Sequence, residues 1–381
     1  MKAKIKKAWE YLFKLSDQRA NRLEISQGVH NLLFNCARCR PGETVLLAYE
    51  PGQFGYFDDQ LRSEFIHEAE KGGFVVNSVD VGFSPTTPTI SDKLLEEMKG
   101  VDVVVFLARL GDQLRFSELP AGPRFVVCFA HNKELLSSAF GAADYGAFVE
   151  LKHVVDQALL EAERVEITCP AGTKIEGSIE DKTKSPEDTS LLRFPMSVFS
   201  PVPAAGFSGK FALGGFLTGT GSRYYKPYTV EFESQVYAHF FKGRLVVFSG
   251  KSTDVILANA HYDRVASEYN LARNIVHSWH AGIHPGCSFP GDMRADFEHW
   301  GGTAFGNPRV LHFHTCGAYA PGEISWNLFD PTIKINGVAI WEDGVFYPDR
   351  LTGGRDVLAR FPSVAKIFAN PDRRIGLGDV T

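Results

Sequence analysis

The amino-acid sequence predicts an α/β protein in two parts. Residues 1–160 read as an N-terminal doubly wound, mainly parallel sheet domain, and residues 161–381 as a C-terminal, mainly β (α+β) domain. Three observations predict this. Four short apolar runs in the first half are separated by amphipathic helical segments, the alternation that builds a parallel sheet. Past about residue 160 the pattern changes to strands separated by turns. At 381 residues, the chain is long enough to bury two cores.

Residues 2–38 carry helical patterning that stops before Pro41-Gly42. The basic start, MKAKIKKAWEYLFKL, has no long apolar run and no small-residue cleavage site, so it reads as an amphipathic surface helix and not a signal peptide. Residues 44–49 are a short apolar run, read as a buried strand. An amphipathic helix at 58–71 ends at Gly72-Gly73, and the next strand is 74–80. Ser91 caps a helix over 91–98, and strands follow at 102–107 and 125–129. The first strand–turn, 49–55, lacks the glycine fingerprint of dinucleotide binding, which excludes a nicotinamide reading.

The second half holds strands at 165–169, 229–232, 245–248, 310–314 and 332–335, and one long helix over 254–273. Residues 178–190 are polar and read as an exposed loop. The glycine-rich, aromatic segment 200–227 reads as a hairpin and crossover, or as an aromatic wall or lid over a site.

Composition narrows the function. A net charge of −5 supplies no basic face for nucleic acid. No window approaches 18 uninterrupted apolar residues, so nothing is expected to span a membrane, and the expectation is a soluble, cytoplasmic protein. Phe is overused at 30 residues, for an aromatic-packed core or a ring-lined pocket. Of the six cysteines, Cys36 and Cys39 alone are close in sequence. They lack a second pair for zinc and sit near the end of a helical segment, so they read as small side chains. Cys287 and Cys316 have histidines nearby, which permits a thiolate–imidazole pair, but a buried small side chain is the simpler reading. No nucleophile elbow, Walker loop or His-Glu-x-x-His helix is present.

The densest chemistry lies between His277 and His314, which hold six of the twelve histidines: His277, His280, His284, His299, His312 and His314. Histidines crowded near strand ends are how a catalytic metal is usually gripped. His312 and His314 are two apart on an expected strand and share a face. With His280 or His284 they make a three-histidine metal site; alternatively they hydrogen-bond neighbours on a polar surface. Asp330 offers a carboxylate, although Phe-Asp-Pro reads more simply as a turn. His299 reads as a loop residue.

The stretches Cys169-Pro-Ala-Gly-Thr-Lys-Ile175, 278–286 and 306–344 resemble the M29 (aminopeptidase T-like) metallopeptidases and the related 2,5-dihydroxypyridine 5,6-dioxygenases. The strand–loop–strand ending in Ile333-Lys-Ile-Asn-Gly-Val338 and Glu342-Asp-Gly344 carries most of it. The resemblance implies an N-terminal α/β domain, a C-terminal mainly β domain of M29 type that carries the metal, and a homodimer. It places His280 at the dioxygenases' first iron-binding histidine and His312 near a peptidase metal histidine. The family's His-x-Asp pair corresponds to Ser325-Trp326-Asn327. A hydroxyl and a neutral amide are poor ligands for a transition metal, so the resemblance implies an inherited site that has lost two of three ligands and their charge. Peptidase sites need further carboxylates, and none lies between 278 and 286.

Two functions follow. The first is a non-catalytic protein without a metal cofactor, whose cleft binds a peptide or small aromatic ligand. His280, His312, His314, Ser325 and Asn327 would contact the ligand, Trp279, Trp300, Trp326 and Tyr319 would line it, and Arg223, Arg294 and Arg309 are candidates for gripping a carboxylate. Such a role resembles accessory proteins that present a precursor peptide to a modifying enzyme in ribosomal-peptide (crocagin-type) natural-product biosynthesis. The second is a metal-dependent enzyme, a ring-cleaving dioxygenase or an aminopeptidase, holding Fe(II) or Zn(II) on His280, His312 and His314, with or without Asp330. A metal-free hydrolase or lyase using Cys or His is a third.

Overall fold

The computed structural model describes residues 24–85, 89–180, 189–221 and 223–378. The expected N-terminal surface helix and most of the loop expected at 178–190 lie outside them. The first sheet joins β1 (Thr44–Tyr49), β2 (Val75–Asp80), β3 (Val103–Leu107), β4 (Arg124–Cys128) and β7 (Leu192–Phe194) in the order β2-β1-β3-β4-β7. Every pair in it is parallel. Successive side chains on β1 and β3 enter different cores. Val45, Leu47, Val103, Val105 and Leu107 face one, and Leu46, Ala48, Val104 and Phe106 the other. Burial on both faces explains why these strands read as continuous apolar runs. The fifth strand, β7, comes from beyond residue 160, so this sheet recruits chain from the far side of the expected boundary.

Two antiparallel sheets form the rest. One has β5 (Val165–Thr168), β6 (Lys174–Gly177), β9 (Phe207–Ala212), β12 (Tyr237–Phe241), β13 (Arg244–Ser249), β17 (Thr332–Ile335), β18 (Val338–Glu342) and β19 (Val345–Phe346). The other has β8 (Val202–Pro203), β10 (Phe216–Thr218), β11 (Thr229–Glu231), β14 (Val276–Ala281), β15 (Val310–Cys316) and β16 (Glu323–Phe329), in the order β11-β10-β16-β15-β14-β8. Their inner faces share one core. Trp279 packs against Phe207 at 5.6 Å between ring centroids, Phe313 against Phe240 at 5.7 Å, and Trp326 against Phe211 at 5.3 Å. Much of the surplus of phenylalanine is therefore structural.

The class expected from sequence is the one observed, with two differences of detail. The long helix spans Ser252–Glu268 and does not reach residue 273, because Asn270 turns left-handed at φ 52°. His299 is not in a loop but in the helix Phe297–Ala304, capped by Asp296. The helix continues through Gly301 and Gly302. No helix among the described residues is long and apolar enough to cross a membrane.

Three histidines away from the strand cluster are held neutral by burial: His131 and His284 are pushed down to about 3, and His261 to about 4. Their unfolded values lie near 6.5, so between pH 6.5 and 4 the unfolded chain binds protons that the native protein does not. Stability is complete above pH 6.5 and falls as pH drops, by about 1.4 kcal/mol per pH unit for each histidine once well below 6.5. The urea midpoint is expected to fall steeply between pH 6.5 and 4.5, and less steeply in His284→Asn. A midpoint constant over that range would refute this account.

Candidate metal centre and its pocket

Strand pleating delivers the central side chains. On β14, β15 and β16 the residues alternating with the core aromatics face the parallel-sheet domain. His280 pairs with His312 across the ladder, His312 with Asn327, and His314 with Ser325. All five are buried. The three imidazoles converge: His280 Nε2 lies 2.6 Å from His312 Nε2 and 3.1 Å from His314 Nε2. Among the described residues, this trio is the group of three whose donor atoms, within 4.8 Å of one another, fit a metal ion. Two nitrogens bound cis at about 2.1 Å to one ion lie about 3 Å apart. The 3.1 Å pair already has that spacing, and the closer pair need open by a few tenths of an ångström.

The surroundings choose the tautomers. His280 Nδ1 faces the Phe199 carbonyl at 3.2 Å, so Nδ1 donates and Nε2 keeps its lone pair. His314 Nδ1 lies 2.6 Å from Glu323 Oε1. Burial alone would raise the Glu323 carboxyl, but His314, its hydrogen bonds from His314 and Thr220, and the charge of Arg115 hold it below the usual range. It is a carboxylate that accepts from Nδ1–H and turns the His314 lone pair inward. Burial, then neighbouring His314, pushes His280 well below its ordinary value; burial, then His280, does the same for His312. Three converging imidazoles, with His280 and His314 oriented by outer hydrogen bonds to the Phe199 carbonyl and to Glu323, form the arrangement that recurs around histidine-bound metals. The donor set fits a divalent transition ion such as Fe(II) or Zn(II).

The histidines line a pocket of about 120 Å³ between the domains. Its opposite wall comes from the carboxyl ends of the parallel strands, where open α/β sheets bind ligands: Ala108 to Arg115 after β3, Val127 to Phe129 at β4, and Arg193 to Val198 at β7. Gly219, Thr220 and Gly221 close one side. They are pinned, since the single hydroxyl proton of Tyr228 is shared between the carbonyls of Gly219 and Gly221, each 2.9 Å from Oη, and Thr220 hydrogen-bonds Glu323. The glycine-rich segment is thus a wall. Gly221 must be glycine: its φ is 75°, and a Cβ would lie 2.4 Å from Asp112 Oδ2.

Other residues singled out from the sequence are placed elsewhere. Trp279 and Trp326 lie on the far face of the same strands, in the sandwich core, because the pleat sends neighbours of the histidines the other way. Trp300 packs in a satellite cluster with Phe216 and Phe305. Tyr319 is exposed and packs on Phe116 at 4.8 Å. Each expected carboxylate-gripping arginine holds a protein carboxylate: Arg223 binds Glu298 at 2.8 Å, Arg294 Glu231 at 3.5 Å, and Arg309 Asp330 at 2.6 and 2.7 Å. Asp330 is thereby taken from the metal. His284 stacks on Phe148 at 3.9 Å outside the trio, and His277 Nε2 contacts the Cys316 carbonyl at 2.9 Å. Burial raises the Cys316 thiol to about 11 and Cys287 further, which removes thiolate chemistry at neutral pH. Cys36 and Cys39 are buried in the first core.

Sequence reasoning missed Glu323 and the pocket arginines Arg109, Arg115 and Arg193. Glu323 had a signal: Glu323, Ser325 and Asn327 alternate with Ile324, Trp326 and Leu328, the period of a half-polar strand.

In fold, the chain is similar to the solved structure of 2,5-dihydroxypyridine dioxygenase from Pseudomonas putida KT2440, with a TM-score of 0.57 and 12% identity over 85% of this chain and 96% of that one. It also matches wild-type AmpT from Thermus thermophilus with a TM-score of 0.46 and 10% identity, over 84% of this chain and 98% of that one. No protein-family model matches the chain, and no curated protein sequence does. The first likeness establishes the fold, a parallel-sheet domain joined to antiparallel sheets.

Glu323→Gln is expected to weaken binding of Co(II) or Zn(II) about 10- to 100-fold, the usual cost of losing an outer carboxylate. Titration calorimetry reads it directly. Trp326→Ala should instead cost about 3–5 kcal/mol of stability with metal affinity changed only a few-fold. The reverse pattern would place Trp326 in the site and Glu323 outside it.

Proposed function

We propose that this protein is a metal-dependent enzyme whose ion sits on His280, His312 and His314 and acts on a small molecule held between the two domains. The observation that carries this reading is the pair of outer hydrogen bonds, from His280 to the Phe199 carbonyl and from His314 to Glu323, which leave two lone pairs facing each other at 3.1 Å. Two facing lone pairs repel, and a divalent ion between them would turn that repulsion into coordination. A divalent ion there supplies a Lewis acid with open positions for substrate, since three protein ligands leave part of its coordination sphere free.

The chain's own residues do the rest. Glu323 fixes the His314 ring, the Phe199 carbonyl fixes His280, and Phe305 stacks on the His312 ring at 4.3 Å. The parallel-sheet wall presents the cationic groups of Arg109, Arg115 and Arg193 to the pocket. A dioxygenase-type reaction agrees with the activity named for the similar fold, and the single trio of nitrogen donors favours one ion over a two-metal peptidase site.

Non-catalytic peptide binding is a second reading. An open groove of about 1000 Å³, lined by segments around Gly214, Asp292 and Arg374, is wide enough for an extended chain. It lies apart from the histidines, so a peptide there would leave the trio without a role.

Anaerobic titration with Fe(II), Co(II) and Zn(II), followed by melting temperature, decides between them. A bound ion should stabilise the native state by about 2.7 kcal/mol at a hundredfold excess over its dissociation constant, and His280→Ala should abolish the shift. No shift, or one that survives His280→Ala, rules out the metal reading.

A further inference from the structure

We propose that the ligand of the histidine pocket is a small single-ring organic acid, its anionic group held by Arg115 and Arg193 on the wall opposite the three histidines. The inference rests on the metal-centre reading for part of its charge argument, and on the pocket itself for the rest.

Placement comes first. Arg115 follows the helix Arg109–Gln113 at the carboxyl end of β3, and its backbone carbonyl accepts from Ser190 N at 2.8 Å and Ser190 Oγ at 3.0 Å. Arg193 stands on β7, opposite Val127 of β4. Both line the pocket together with the three histidines. The pocket they share is only about 120 Å³, so one small ligand can touch both walls.

Charge comes second. Arg109 is committed on both sides, to Glu50 and to Glu298 at 2.9 Å, and Arg223 adds to Glu298. Among the described residues Arg115 meets one carboxylate, Asp112, at 3.1 Å through Nη1, although a guanidinium carries five N–H donors. Among the described residues that line the pocket, Arg109, Arg115 and Arg193 are cationic and Asp112 and Glu298 anionic. Ser325 and Asn327, on the same strand face as the histidines, add no charge. A divalent ion on the histidines would add positive charge opposite two guanidiniums. Such an arrangement is costly unless an anion lies between. A carboxylate suits the planar guanidinium fork.

Size and walls come third. The cavity of about 120 Å³ is comparable to the ~150 Å³ that holds one benzene ring. Phe57, Val127, Phe129 and Phe305 supply apolar surface for that ring.

Salicylate and its neutral amide, salicylamide, test the proposal by titration calorimetry on Co(II)-treated and metal-free protein. Salicylate should bind at least tenfold more tightly than salicylamide. Arg115→Gln and Arg193→Gln should each reduce that preference several-fold, and Arg115→Lys should restore part of it. Equal affinity for acid and amide, no binding of either at millimolar concentration, or a preference untouched in both variants would overturn the proposal. Failure of the metal reading is seen separately, as absence of Co(II) uptake. In that event a preference for the acid in metal-free protein, lost in Arg115→Gln, still upholds the anion site, and its absence overturns it.

Discussion

The two-residue alternation of the ladder β14–β15–β16 is the constraint from which the rest follows. Trp279, Phe313 and Trp326 point into the sandwich, and His280, His312, His314, Ser325 and Asn327 point to the other domain. A slip of one residue would exchange the two sets, driving imidazoles into an aromatic core and tryptophans into a polar cavity. The burial of the aromatic rings therefore holds the histidines in register. Precision at the candidate centre comes from hydrophobic packing on the far side of the sheet.

A second layer acts through charge. Arg109 joins Glu50, at the end of β1, to Glu298, in the helix Phe297–Ala304 of the other domain. Removing one partner of such a buried network strands a charge, which typically costs 3–5 kcal/mol. The network ties the parallel-sheet wall to the antiparallel part, and the distance across the pocket depends on it. His299 adds a contact of the same kind, stacking on Tyr56 at 4.5 Å and reaching its carbonyl at 3.0 Å.

The resemblance to the metallopeptidase and dioxygenase families drew attention to Ser325-Trp326-Asn327, where ligands were expected. The geometry shifts the weight to His314 and Glu323. Glu323, two residues before Ser325 on the same face, stands behind His314 and not beside an ion. A carboxylate thus remains behind the centre, across the His314 ring, where it orients that ring.

The parallel sheet was legible in the sequence because its inner strands β1, β3 and β4 are buried and read as apolar runs; Val103–Leu107 needs no context to be recognised. Strand β15 with His312 and His314 on one face was legible for the same local reason, and so was His280 as a partner. The roles of Trp326, Asp330 and Arg309 were not. Proximity in sequence to a histidine says nothing about which face a side chain takes, or whether another charge reaches it first. Arg115 and Arg193 were invisible as well, since their neighbourhood exists only once β3 and β7 bring their carboxyl ends over the antiparallel sheet. The sequence by itself determined the elements and the donor chemistry, because propensity and periodicity are local. Tertiary structure alone decided which donors converge and which charges oppose them, because distance and burial depend on how the two domains close on each other.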